Sequence, residues 1–426
     1  MSAGKRSADA FRRAGYSQAV QAAVEQTTVR VREMHSAIAD RSFGVLRHIP
    51  LLGRPARLVE SAHDRVVAGV YDAIRFGSGA LFGVAALLEE HYTPRAASRP
   101  PSRLATRVHS ILNGVFGDHL EAGNSRLAID LTIRANGVAV RPDADSLRAA
   151  WPECGPRICV FIHGLACDEH AWQAQPPKAD AASSPTSGID FGRRLHADFG
   201  YTPVYVRYNT GLPLARNGEE LAVLLEQLCA AWPQADSRLI LVGHSMGGLV
   251  ALAACEHAAA SGMHWPQATN MLVCLGSPQL GSPFERLGHL LTTALHVSPV
   301  SLPLGKIAAA RSQGIQDLRR GPGAARRPPM PGRIAYRFLA GSLAEEVDNR
   351  FGRLFGDGLV TPGSATAHAI EGDAQTAVIG KLGHMDLLTD PRVYRQISDW
   401  LAAVEPGARA GRQRERRKTV DIAAQR

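Results

Sequence analysis

Gly243-His244-Ser245-Met246-Gly247-Gly248 lies between two apolar runs, Leu239-Ile240-Leu241-Val242 and Leu249-Val250-Ala251-Leu252. The first run reads as a buried strand and the second as a helix, so the hexapeptide is a strand-to-helix turn carrying a serine at its apex. Such a turn strains the serine backbone, and a β-carbon at Gly243 or Gly247 would collide with neighbouring chain. It lifts the hydroxyl above the sheet and points the free N–H groups of the next helix at developing negative charge. The chemistry this suits is attack on an acyl carbon. A structural turn around a buried serine is the alternative, and the flanking strand and helix weigh against it.

An oxyanion formed by that attack needs two donors. One is the amide of Met246, directly after the nucleophile. The other is expected after an earlier strand, and Val160-Phe161-Ile162-His163-Gly164-Leu165-Ala166 provides such a loop. Gly164 allows close backbone approach, so the Leu165 amide is the expected second donor; a plain turn at His163-Gly164 is the competing reading. Ser245 also needs a base, and in this kind of turn the partners follow in the order Ser, acid, His. His384, in the loop Gly380-Lys381-Leu382-Gly383-His384, is the expected base, preferred over His368. Asp357, in Gly356-Asp357-Gly358, is the expected acid, with Glu345, Glu346 and Asp348 as alternatives. Asp386 and Asp390 stand too close to His384 and are expected to cap or to be solvated.

These residues require a scaffold. Short apolar runs at 157–162, 203–207, 238–242, 269–275, 334–340 and 377–380 alternate with helical stretches at 217–231 and 393–404, where Ile397, Trp400, Leu401 and Val404 share a face. That rhythm predicts an α/β fold with a mostly parallel central sheet and helices on both faces. Leu127–Ile133 alternates and is expected as an edge or antiparallel strand. Residues 282–332 break the rhythm; a cap insertion over the site and a long surface loop are both open readings.

Three domains are expected: a helical region at 1–100, a catalytic domain at 101–404 and a disordered basic tail at 405–426. Apolar stripes Val20-Val24-Val31-Met34-Ile38 and Val59-Ala62-Val66-Val70-Ile74 mark the N-terminal helices, with a linker at Thr93–Pro101. They are expected to pack on the chain itself or to dock on a membrane surface. The net charge is +9. Residues 1–103 hold fifteen basic and nine acidic side chains, and 405–426 hold seven and three, so the middle is near neutral. Solvated ends explain this more simply than an anionic surface. No zinc-finger spacing or aromatic-rich basic stripe suggests nucleic acid. The six cysteines lack paired spacing, which suits a reducing, cytoplasmic setting. No signal peptide is read, and Phe76–Leu88 is too short to span a bilayer. Nothing specifies a metal, a cofactor or an oligomeric state.

Taken together, His163-Gly164-Leu165 with Trp172, Arg207-Tyr208-Asn209-Thr210-Gly211 with Asn217-Gly218, Gly243–Gly248, Leu275-Gly276-Ser277-Pro278, Gly281-Ser282-Pro283, Asp357-Gly358-Leu359-Val360 and the His384 loop resemble the lipase/esterase branch of the α/β-hydrolases. The resemblance is nearest to bacterial proteins similar to the GPI inositol-deacylase family and to triacylglycerol lipases, over about residues 104–404. It implies hydrolysis of an acyl ester, of a lipid among others, by an acyl-enzyme route without a cofactor. Acyl transfer or thioester hydrolysis on the same triad is the alternative within the fold. A silent, peripherally membrane-associated binding module is the alternative outside it.

Overall fold

Leu239, Ile240, Leu241 and Val242 are fully buried, and so are Ile158 to Ile162 and Met271 to Leu275. Continuous apolar runs of this kind form strands covered on both faces. In the computed structural model they are the centre of an eight-stranded sheet. The structure describes residues 103–173, 188–282, 312–321, 330–331, 333–345, 356–367, 370 and 372–405. The expected N-terminal helices, the linker and nearly all of the expected tail lie outside them.

In chain order the elements are α1 (Arg103–Ala122), β1 (Thr132–Ala135), β2 (Val138–Val140), α2 (Ala144–Ala150), β3 (Arg157–Ile162), α3 (Phe191–Phe199), β4 (Thr202–Arg207), α4 (Leu214–Ala231), β5 (Arg238–His244) and α5 (Met246–Ser261). There follow α6 (Trp265–Ala268), β6 (Thr269–Leu275), α7 (Gln313–Arg320), β7 (Ala335–Ser342), α8 (Pro362–Thr366), β8 (Ala374–Gly380) and α9 (Pro391–Val404). The strand order is β2-β1-β4-β3-β5-β6-β7-β8. β1 runs antiparallel to β2 and β4, and the rest are parallel. This is the predicted α/β architecture.

Alternation sorts the two faces. Cys159, Phe161, Ile240, Val242, Met271, Val273, Leu275 and Leu339 pack with α3 and with Val393, Ile397, Trp400 and Leu401 of α9. The other face is covered by α5, whose Gly248 carbonyl accepts from Cys274 Sγ. α5 is apolar almost all round, as a helix enclosed between a sheet and a neighbouring helix must be. That neighbour is α4, where a β-carbon at Gly218 would stand 2.5 Å from Ala253 Cβ.

Three departures have physical reasons. The expected strand at Leu127–Ile133 is displaced to Thr132–Ala135, because the Ile129 N–H is taken by Asn113 Oδ1 rather than by a ladder. Asn136-Gly137, both at positive φ, then turns the chain into β2 as a tight hairpin. α1 is not among the expected elements, and its buried residues mix apolar Ile111, Leu112, Val115 and Leu120 with polar Thr106, His109, Ser110 and Asn113. Of the expected insertion at 282–332, the longest described stretch is α7 with its flanks. It is pinned by Gly314 N–H to Gly211 O, Leu214 N–H to Asp317 Oδ2 and Ser282 N–H to Leu318 O.

Contacts divide the chain into two units, one of them residues 1–99, 125–127 and 291–309. Of that unit only Ser125–Leu127 is described, with Leu127 N–H donated to Ser125 Oγ. All other elements above belong to the second unit. Among the described residues no helix is long and apolar enough to cross a membrane.

Glu405, the first residue of the expected tail, is buried. It accepts from Tyr201 Oη at 2.6 Å and from Asn270 Nδ2, and its second oxygen lies 3.3 Å from Arg157 Nε. This anchors the end of α9 beneath the sheet. Glu405→Ala should cost about 1–3 kcal/mol in urea denaturation, since it strands a buried phenol. Most of that loss should vanish in a Tyr201→Phe background; strict additivity of the two substitutions would refute the anchor.

Candidate active site

Ser245 has φ 54° and ψ −121°, a strained conformation for a residue with a β-carbon. Three close approaches hold it there. A β-carbon on Gly243 would meet Gly248 N and Cα at 2.5 Å, and one on Gly247 would run into the carbonyl oxygens of Ile162 and His163. One on Gly248 would strike Ser277 Oγ. The Ser245 N–H donates to Leu275 O at 2.8 Å, which ties the apex to the end of β6. α5 starts at the next residue, so the Met246 amide belongs to the open N-terminal turn of a helix.

The loop after β3 lies directly against this apex. A β-carbon on Gly164 would stand 3.1 Å from both Ser245 Cβ and His244 Nδ1. The next amides are accounted for in turn. Ala166 N–H is held by Thr210 Oγ1 at 3.1 Å and Cys167 N–H by Gly164 O at 3.2 Å. The Leu165 N–H, just before them, has no acceptor among the described residues.

Asp357 and His384 come together although 27 residues apart: His384 Nδ1 lies 2.8 Å from Asp357 Oδ2, and both side chains are buried. The other carboxylate oxygen accepts from the amides of Leu359 and Val360 at 2.9 and 2.8 Å, and Asp357 O accepts from His384 N–H. A carboxylate so held orients the imidazole, leaving Nε2 as the free nitrogen. His384 Nε2 has no partner among the described residues, and it makes no hydrogen bond to Ser245. The two halves nevertheless share a neighbour. Gly276 follows Leu275, which holds Ser245, and a β-carbon there would stand 3.2 Å from His384 Cε1 and from Asp357 Oδ2. Gly276 has φ +58°, so the site needs glycine twice over at this position.

The other carboxylates have separate roles. Glu345 is exposed and pairs with Lys381, whereas Glu346, Asp348 and His368 lie outside the described residues. Asp386 accepts from Gly383 N–H, and Asp390 caps α9 and pairs with Arg392. Among the described residues, Asp168, Glu169 and His170 are the one group with metal-ligand spacing. Glu169 gives both oxygens to Arg207, and Asp168 accepts from the His170 backbone and ring, so these groups are already engaged. They do not fit a resident ion.

Sequence reasoning overlooked how far His244 and the residues after β4 take part. His244 Nε2 lies 3.0 Å from His384 O, and the two rings are 4.6 Å apart. Burial holds His244 well below the usual imidazole range, so the neutral ring donates its Nε2 proton to that carbonyl. Burial likewise lowers His163, whose ring stacks on Tyr208 at 4.5 Å. Both histidines stay neutral in the fold while their unfolded counterparts take up protons below about pH 6.5. The unfolded chain then binds more protons, so stability falls as pH drops. Each histidine should contribute a loss of up to about 1.4 kcal/mol per pH unit until its lowered folded value is reached. Denaturation midpoints compared at pH 7.5 and pH 5.5 for wild type and His244→Gln check this. An unchanged pH dependence in the variant would contradict it.

A family profile described as a PGAP1-like alpha/beta domain matches residues 220–298, a stretch that includes β5, α5 and β6. No curated protein matches the chain in sequence. Solved structures similar to it include a lipase of Bacillus licheniformis in mature form, at 18% identity and TM-score 0.39, covering 58% of this chain and 91% of that one. A thermophilic esterase from Thermogutta terrifontis is similar at 16% identity and TM-score 0.32, covering 59% and 91%. A thioesterase of the prodiginine pathway in Streptomyces coelicolor is similar at 15% and 0.36, covering 63% and 90%. With its parallel sheet flanked by an antiparallel edge, the serine apex between β5 and α5 and the PGAP1-like stretch, the chain has the α/β-hydrolase fold.

Proposed function

We propose that the chain is a serine carboxylic-ester hydrolase acting on acyl esters, those of lipids among them. The observation that carries this reading is the buried Asp357–His384 hydrogen bond, with an unpartnered Nε2 beside a strained serine turn. A binding module has no use for that combination of strain and buried charge.

In the proposed cycle, substrate entry and rotation of the Ser245 side chain bring its hydroxyl to His384 Nε2. Such contacts are commonly loose before substrate binds. His384 takes the proton as Oγ attacks the carbonyl carbon, and Asp357 stabilises the imidazolium. The amides of Leu165 and Met246 hold the oxyanion. As the tetrahedral intermediate collapses, His384 protonates the departing alcohol and an acyl-enzyme remains. Water, deprotonated by the same histidine, then attacks the acyl carbon, and collapse returns the acid and the free serine.

A fluorophosphonate probe should label wild type and leave Ser245→Ala unlabelled; equal labelling of both would end this reading. Asp357→Asn should retain the fold and lower kcat on short-chain p-nitrophenyl esters by about 10³–10⁴-fold, through the wrong imidazole tautomer. Turnover within a few-fold of wild type would remove Asp357 from the machinery.

A further inference from the structure

The loop that carries Leu165 is fixed from one direction. Three residues at the end of β4 and just beyond it hold three residues of the loop at regular intervals. Tyr208 Oη donates to His163 O at 2.8 Å. Thr210 Oγ1 accepts from Ala166 N–H at 3.1 Å. Arg207 grips both oxygens of Glu169, through Nε at 2.7 Å and through Nη2. All of these groups are buried. Leu165 stands between the first two contacts and immediately precedes the second.

The Thr210 contact has further support. Ala166 takes φ +56°, a left-handed conformation that a residue with a β-carbon adopts only when its surroundings impose it. Anchoring its N–H on Thr210 fixes the peptide plane one step beyond the Leu165 amide. The same place is closed from behind by α1: a β-carbon on Gly114 would stand 3.0 Å from Ala166 Cβ and 3.2 Å from Thr210 Oγ1. Thr210 is itself confined between Asn209 and Gly211. Asn209 donates to Gly117 O and accepts from Gly211 N–H. Asn217 Nδ2 reaches Asn209 O at 3.0 Å and Leu212 O at 3.3 Å.

We infer that Thr210 is a positioning residue for ester hydrolysis, fixing the Leu165 amide toward the oxyanion through its hydrogen bond to Ala166. This rests on the proposed function above and adds to it a group that never touches substrate. The segment Arg207–Thr210 then acts as a rail along which the loop is set, with Thr210 its contact nearest the donor.

Thr210→Val keeps the shape and removes the acceptor; Thr210→Ser keeps the acceptor. Rates are normalised to active sites titrated with fluorophosphonate, so that loss of folded protein does not count. Thr210→Val should lower kcat on a p-nitrophenyl ester by about 10- to 100-fold, with KM within about threefold. Its affinity for a trifluoromethyl ketone, whose adduct carries the same oxyanion, should fall by a similar factor, and Thr210→Ser should restore both. Should Thr210→Val not fold, Thr210→Ala is read by the same criteria. A folded variant with kcat and ketone affinity within twofold of wild type overturns the assignment, and so does a loss confined to KM. Ser245→Ala separates the two levels: if it turns over like wild type, the hydrolase reading itself fails, whatever Thr210 does.

Discussion

Two strand ends in this molecule are closer than side chains would ordinarily allow. The carbonyls of Ile162 and His163, at the end of β3, occupy the space that a β-carbon on Gly247 would need. Gly164 in turn sits so near Ser245 that a β-carbon there would stand 3.1 Å from the Ser245 Cβ. This contact between the β3 and β5 edges sets the rest. It forces Ser245 to φ 54°, begins α5 one residue later, and brings the loop amides after β3 alongside the serine. Strain of this kind costs about 1–3 kcal/mol at the residue that bears it. The surrounding sheet, buried on both faces, supplies the rigidity that keeps it in place.

The second requirement is electrostatic. A buried carboxyl group needs its oxygens satisfied, and Asp357 meets that with two amides and one imidazole. The adjacent histidines work the other way. His163 and His244 are buried without a carboxylate partner of their own, so they stay neutral and act as rigid, hydrogen-bonding spacers. His244 supports the His384 backbone and His163 stacks on Tyr208. One imidazole among three is thereby paired with an acid, which is what a single acid–base group requires.

How much of this could be read from the chain follows from how local each signal is. The turn at 243–248 is written in six consecutive residues between two apolar runs, and the central strands are short unbroken apolar segments, so both were legible. Asp357 and His384 were legible as candidates because the order of partners along the chain narrowed the choice. The roles of Thr210 and Tyr208 were not, although both stand in the 207–211 motif, since their bonds to Ala166 and His163 span 44 and 45 residues and leave no local periodicity. α1 escaped notice for another reason. Val108, Ile111, Leu112 and Val115 recur at helical spacing, but Asn113, Gly114 and Gly117, which serve close approach and hydrogen bonding to the Asn209–Gly211 turn, interrupt the pattern. The hairpin signal at Asn136-Gly137 was present and would have corrected the placement of β1.

The account stands on one arrangement: a serine oxygen bonded to the substrate carbon while two backbone amides face the resulting negative oxygen. A crystal structure of the phosphonylated protein tests it most directly. The account predicts phosphorus bonded to Ser245 Oγ, its phosphoryl oxygen about 2.7–3.1 Å from the amide nitrogens of Leu165 and Met246, and His384 Nε2 within hydrogen-bond reach of the adduct. Phosphorus on another residue, or a phosphoryl oxygen turned away from both amides, would contradict it.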